Sequence, residues 1–291
     1  MNVFITGATG WVGSVIVREL IQAGHQVSGL VRSEARAAEL AAAGAKVIHG
    51  TLDDLQLLTE TAAVSDAVIH TAFNHDFSRF VENAEQDRLA IHALGQGLAG
   101  SGRRLIVTSG VAVVSPGNLI TEDMHQVDTG HPRRSEFEAL AVKEQGVQVS
   151  VVRLAPTVHG AGDHGFVPTL IELARRTGVS AYLGDGANRW PAVHRFDAGR
   201  LYRLILESAE PGFAYHAVAE QGVQFREIAE VIGRRLGLPV ESCAEDHFGW
   251  FARFAGGDFP TSSDFTQRVC GWNPDQPALL EDLDSSAYFS G

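Results

Sequence analysis

Cysteine is nearly absent: the 291 residues hold two, Cys243 and Cys270, and neither belongs to a Cys-x-x-Cys pair or a Cys/His array. That argues against a disulfide scaffold and a structural zinc site, and no metal is expected. Lysine is as scarce, with Lys46 and Lys143 alone, and tyrosine occurs four times. Lys and Arg together number 23 against 35 acidic residues, a net charge of −12, and no basic run could neutralise a row of phosphates. Nucleic acid is not an expected partner. No stretch approaches the roughly 18 apolar residues of a membrane span, and the opening Met1 to Gly7 lacks the basic and apolar segments of a signal peptide. The expectation is a cytoplasmic protein with no membrane partner.

What is present is an ordinary globular composition, 45% hydrophobic and 20% charged, with 31 glycines, above the usual share of about 7%. Many of those glycines punctuate short β-like runs. Runs rich in Val, Ile and Leu at 3–6, 27–31, 46–49, 67–71 and 105–109 alternate with amphipathic segments at 11–23, 34–43, 55–62 and 80–98. A further helix at 134–145 leads to a sixth strand at 149–154. Strands separated by helical crossovers form a parallel sheet, and their unbroken apolar character suits burial on both faces. The fold class predicted is α/β, a doubly wound parallel sheet. Beyond residue 160 the chain reads as helices at 166–176, 197–207, 225–236, 247–254 and 266–269, with a strand at 214–219. The expected division is a nucleotide-binding domain over 1–160 and a smaller C-terminal substrate-capping lobe over 161–291, of which about 193–219 returns to the first domain.

Directly after the first strand stands Thr6-Gly7-Ala8-Thr9-Gly10-Trp11-Val12-Gly13, opening the first helix. A dinucleotide pyrophosphate needs a tight turn (Gly7), a bare backbone approach (Gly10) and close helix–sheet packing (Gly13), with the positive end of the helix toward the anion. Thr9, Trp11 and Val12 complete the expected cofactor-binding loop. An NAD-selective site would place an acid at the end of the second strand; here Arg32 and Ser33 stand there, able to hold a 2′-phosphate. NADP is favoured over NAD, although Glu34 follows at once.

This run resembles the T-G-x-x-G-x-x-G fingerprint of extended short-chain dehydrogenases/reductases, the superfamily of nucleotide-sugar epimerases and dihydroflavonol reductases. Gly50-Thr51-Leu52-Asp53-Asp54 is similar to its G-D-L-x-D segment beside the adenine, so the resemblance assigns adenine contact to Leu52 and Asp53. His70-Thr71-Ala72 resembles the turn ending the fourth strand, and Val107-Thr108-Ser109 the end of the fifth. Residues 152–160, Val-Arg-Leu-Ala-Pro-Thr-Val-His-Gly, resemble L-R-P-x-N-V-Y-G beside the nicotinamide. The resemblance therefore implies cofactor contacts from Thr71, Ala72, Phe73, Thr108, Ala155 and Thr157. Val193-His194-Arg195-Phe196-Asp197-Ala198 and Gly271-Trp272-Asn273-Pro274 are similar to later motifs in the same order.

The superfamily's chemistry uses a Tyr hydroxyl, a Lys four residues later and a Ser or Thr after the fifth strand. No tyrosine lies between the fifth strand and Tyr182, and position 139 is Ala139. The chain resembles an atypical subgroup without the Tyr-x-x-x-Lys pair. Catalytic groups must then come from strand ends: Ser109, and His159 in the family's tyrosine slot, which could equally stabilise its turn. Asn74 and His75 either touch substrate or start a helix with Asp76. Asp87 aligns with a helix asparagine of the family. Arg189 and Trp190 suit an anionic or aromatic substrate, or join lobe to core. The aromatic run 247–251 lines either a pocket or the core. The function expected is an NADP-dependent oxidoreductase of a small carbonyl or alcohol, using a non-Tyr proton relay. The alternatives are a nucleotide-sugar epimerase/dehydratase-like enzyme and a non-catalytic NADP-sensing protein; the expected partner is a small-molecule substrate, with a homodimer left open.

Overall fold

The computed structural model describes residues 1–114, 118–208, 210, 212 and 214–289. Strands β1 (Asn2–Thr6), β2 (Gln26–Val31), β3 (Lys46–His49), β4 (Ala67–His70), β5 (Arg104–Gly110) and β6 (Gln148–Leu154) join β10 (Ala214–Ala217) in one sheet. Its order is β10-β6-β5-β4-β1-β2-β3, and every pair is parallel. Helices α1 (Gly13–Gln22), α2 (Glu34–Ala42), α3 (Leu55–Ala63), α4 (Phe80–Leu98) and α5 (Ser135–Lys143) make the crossovers.

Successive strand residues point to opposite faces, and both faces are covered. Ile5, Ile69 and Ile106 pack against α1 and α2 and against Leu201 and Tyr202 of α7 (Arg195–Ser208). Phe4, Val68, Leu105 and Val107 pack against Leu58, Ile91, Leu94 and Val142 from α3, α4 and α5. The strand order reverses between β1 and β4, whose last residues, Thr6 and His70, are register partners. Open α/β sheets bind ligands at that switch point, beyond the carboxyl ends of the strands.

The outer lobe has two small sheets. In the first, β9 (Arg189–His194) lies parallel to β7 (Thr157–His159) and antiparallel to β11 (Glu220–Gln224); in the second, β8 (Ser180–Leu183) is parallel to β12 (Val240–Cys243). Helices α6 (Phe166–Thr177), α8 (Phe225–Leu236), α9 (Glu245–Phe248), α10 (Ala252–Ala255), α11 (Asp264–Cys270) and α12 (Leu279–Leu283) surround them. Their apolar residues continue the core on the α1 side of the main sheet. The helix expected over 247–254 is broken, because Gly249 adopts φ +54 and turns the chain between α9 and α10. Among the described residues no helix is long and apolar enough to cross a membrane.

Candidate active site

The loop from β1 to α1 is built around its glycines. Gly7 has φ +72, and a Cβ there would lie 2.7 Å from Thr71 Oγ1. A Cβ on Gly13 would overlap the Gly7 carbonyl oxygen. Gly10 differs: it is exposed, and the only neighbouring residue its Cβ would meet is Gly7, at 3.1 Å from the carbonyl oxygen. Open space therefore lies above its backbone, beside a helix start that carries no side-chain cap. Thr9 and Trp11 are half-buried and Val12 is buried, so the loop presents backbone rather than bulk. These features fit a dinucleotide pyrophosphate.

At the end of β2, Arg32 and Ser33 are exposed. Ser33 also caps α2, its Oγ accepting from Arg36 N at 3.4 Å. The Arg36 guanidinium donates to the Thr9 carbonyl oxygen, bringing a second arginine to the phosphate loop. Arg36 was not singled out from the sequence; its place in the first turn after Arg32 was the available signal. Leu52 is half-buried, and exposed Asp53 accepts from Gln86 Nε2 at 2.7 Å.

Toward the other end of the crevice, Thr71 Oγ1 donates to the Thr6 carbonyl at 2.8 Å, and Ala72 and Phe73 follow half-buried. Thr108 is buried with its hydroxyl 2.7 Å from Tyr202 Oη. Ser109 is also buried, and among the described residues no partner takes up its hydroxyl. Ala155 is buried, as is Thr157, whose Oγ1 has no partner among the described residues. Asn74 Oδ1 accepts from Asp76 N at 3.1 Å, and Asp76 caps the short turn Phe77–Arg79, so both serve the local backbone. His75 keeps an accessible ring although protein surrounds it on most sides, as befits a group lining a cleft. Burial, then the charges of Arg133 and His164, hold its pKa below the ordinary histidine value. Phe77 stacks on Trp250 with ring centroids 5.5 Å apart, so the aromatic run 247–251 reaches the β4 loop.

Three candidate residues sit where the structural alternative, rather than the functional one, has its partners. His159 is 1% exposed, its Nδ1 2.8 Å from Asp282 Oδ2 of α12 and its ring edge-on to His194. That buried pair ties β7 to the last helix and leaves the ring closed off from a substrate. Trp190 has no exposed surface; it packs among Phe166, Phe225 and Phe251 and donates Nε1–H to the Phe254 carbonyl, so it is core and not a stacking platform. Arg189 is committed to Asp258 through Nε and Nη2 at 3.0 and 2.8 Å, which satisfies its charge within the lobe.

A polar chain that the sequence did not reveal runs beneath the cleft. Thr6 Oγ1 lies 2.7 Å from His70 Nδ1, His70 Nε2 lies 3.0 Å from Asp87 Oδ1, and Ser135 Oγ donates to Asp87 Oδ2 at 2.6 Å. All four residues are buried. Burial pushes the Asp87 carboxyl up, but the hydrogen bond and charge of His70, with Arg133 and Ser135, hold it below the usual range. Ser135 also accepts from Arg133 Nε at 3.2 Å; Arg133 Nη2 donates to the Thr108 carbonyl at 3.1 Å, and its guanidinium lies 4.2 Å over the Phe73 ring. Arg133 thus spans the ends of β4 and β5 from the start of α5.

Residues 3–218 match the sequence profile of the NAD dependent epimerase/dehydratase family. A Schizosaccharomyces pombe protein described as uncharacterized is 51% identical over 295 residues, covering 99% of this chain and 100% of its own. A 2-alkyl-3-oxoalkanoate reductase of Stenotrophomonas maltophilia is 27% identical over 260 residues, covering 82% of this chain and 77% of the reductase. In fold, the chain is similar to the dTDP-glucose 4,6-dehydratase DesIV of Streptomyces venezuelae, solved with NAD and TYD bound. The TM-score is 0.79 at 22% identity, over 99% of this chain and 97% of that one. With a family profile covering most of its length and the glycine loop, strand order and switch-point crevice in place, the chain belongs to the NAD dependent epimerase/dehydratase family.

Proposed function

We propose that the protein is an NADP-dependent oxidoreductase that interconverts a small carbonyl compound and its alcohol without a Tyr and Lys pair. The observation that carries this reading is the open backbone at Gly10 above α1, at the same strand-end side of the sheet as Phe73, His75 and the unclaimed Ser109 hydroxyl. Gly7 to Gly13 would hold the pyrophosphate, and Leu52 and Asp53 would flank the adenine. Arg32, Ser33 and Arg36 would hold the 2′-phosphate, which is the reason for preferring NADP. Thr71, Ala72, Phe73, Ala155 and Thr157 would border the nicotinamide. When bound, NADPH supplies a hydride equivalent.

The chain's own contribution is orientation and an aromatic surface. Ser109 can hold the substrate oxygen, and His75, neutral near pH 7 because its pKa is lowered, can donate a ring N–H to the same oxygen. Phe73, Phe77 and Trp250 give that face an apolar, aromatic lining. A reductase among the relatives supports the reaction class.

Titration calorimetry checks the cofactor and NADPH consumption over a panel of ketones and aldehydes checks the reaction. The expected results are tighter binding of NADP than of NAD, inversion of that preference in Arg32→Glu, and turnover with at least one carbonyl class. Equal affinity for the two cofactors would remove the NADP assignment. Tight NADP binding with no turnover across the panel would replace the enzyme with a cofactor-sensing protein.

A further inference from the structure

We infer that Arg133 is the substrate-binding group of the cleft, and that the substrate is a carbonyl compound whose flat apolar body carries a carboxylate. This rests on the oxidoreductase reading for the identity of the site, but its argument is independent. A guanidinium stays charged at any physiological pH, and one drawn partly out of water is normally paired with an anion. Arg133 is half-buried, yet among the described residues it makes no ion pair. Asp87 influences it from a distance, but that carboxylate is already taken by His70 and Ser135.

The surroundings hold Arg133 in one pose. Nε is fixed by Ser135, Nη2 by the Thr108 carbonyl, and one face of the guanidinium by the Phe73 ring. Nη1 has no partner among the described residues. Fixed donors with one unused edge suit a planar carboxylate, because little rotamer entropy is left to lose on binding. The neighbouring side chains repeat the preference. His75 lies edge-on to Phe73 at 5.3 Å, and His131 lies edge-on to Phe80 at 5.9 Å, which in turn meets Phe73 at 6.0 Å. Cationic or neutral donors set among aromatic rings favour a flat anion over a sugar, whose hydroxyls would lose water without finding acceptors.

The sequence placed substrate anion binding at Arg189, which Asp258 neutralises. Arg133 offers the same chemistry at the strand ends. It stands two residues ahead of Ser135, the first residue of α5, and Ser135 links it through Asp87 and His70 to Thr6 at the foot of the phosphate loop.

The experiment uses NADP-loaded full-length protein and matched probes: benzoylformate and its methyl ester, indole-3-pyruvate and its methyl ester, and 2-oxooctanoate and its methyl ester. Calorimetry should show at least one acid binding about 10- to 100-fold more tightly than its ester, the range of a hydrogen bond to a charged group. Arg133→Gln should abolish that preference, Arg133→Lys should keep part of it, and circular dichroism should report an unchanged fold. If Arg133→Gln fails to fold, Arg133→Lys decides, since a retained charge without the fork must still weaken the acid more than the ester. Equal binding of acid and ester in the wild type, undiminished preference in the folded variants, or no saturable binding of any acid at millimolar concentration overturns the proposal. The two readings fail differently. Turnover of esters with no acid preference removes the carboxylate and leaves the oxidoreductase, whereas acid-selective binding with no NADPH consumption does the reverse.

Discussion

Three glycines in the first loop look alike in sequence and do different work in space. Gly7 is required by its positive φ and by Thr71, and Gly13 by the carbonyl of Gly7, so a side chain at either strains the protein itself. A side chain on Gly10 has one close neighbour, the Gly7 carbonyl oxygen at 3.1 Å from its Cβ, and otherwise points into space that a ligand would fill. Gly10→Val should therefore keep the fold and melting temperature near wild type while removing measurable NADP binding. Circular dichroism and calorimetry check the two halves of that statement. A folded Gly10→Val protein that retains NADP affinity would mean that phosphate does not lie over this backbone. The spacing alone located this loop, because the demand is local: strand, turn and helix start lie within thirteen residues. Arg133 was invisible for the opposite reason. What marks it is a missing partner, and absence of a partner is a property of folded neighbours such as Phe73 and Thr108.

The elements of the main sheet were legible because each strand is an unbroken apolar run and each crossover carries an apolar stripe with a clear period. In the lobe the helices α6, α8 and α11 were legible for the same reason, but the short strands β7, β8 and β12 were not. β7 has three residues and β8 and β12 four each, too short for alternation to show, and they are held by partners up to sixty residues away. Still longer separations hid the roles of Arg189 and His159, whose carboxylates Asp258 and Asp282 come from later segments of the lobe. The joint between β7 and α12 makes a prediction that separates structure from chemistry. His159→Phe strands the Asp282 carboxylate and should lower stability by about 2 kcal/mol, the worth of a hydrogen bond to a charged group, without changing kcat in folded protein. Ser109→Ala at the end of β5 should do the reverse, holding the melting temperature and reducing kcat by about tenfold if its hydroxyl orients the substrate oxygen. Urea unfolding and steady-state kinetics on both variants supply the comparison. A large loss of kcat in His159→Phe with unchanged stability would return that histidine to the active site.

At the scale of the whole molecule, the edge of the main sheet is fastened to the C-terminal segment by a buried polar knot. Arg153 of β6, with no exposed surface, grips Glu136 of α5 through two bonds of 2.8 Å and donates to the Met124 carbonyl at 2.7 Å. Its Nη1 lies 3.2 Å from Nε2 of His216 on β10, and His216 Nδ1 lies 2.7 Å from the Ser262 carbonyl. Only the neutral imidazole fits, since Nδ1–H must donate to a carbonyl while Nε2 accepts from an arginine. Burial lowers the His216 pKa to about 4; the Ser262 hydrogen bond opposes it, the Arg153 charge adds to it, and the nearby Glu136 and Asp123 carboxylates oppose it more weakly. In the unfolded chain a histidine titrates near 6.5. Between those values the unfolded state binds the extra proton, so stability is present in full above about pH 6.5 and is lost as pH falls toward 4. Between about pH 7.5 and pH 5 this single group should remove roughly 2 kcal/mol of unfolding free energy. His216→Gln can still donate to Ser262 and accept from Arg153 but cannot titrate, so its unfolding free energy should decline less over the same interval. Other groups, Asp87 among them, titrate alike in both proteins and cancel in the difference. Parallel pH profiles for wild type and His216→Gln, measured by urea unfolding, would show that this histidine is already protonated in the folded protein or that the knot does not hold the sheet edge to the lobe.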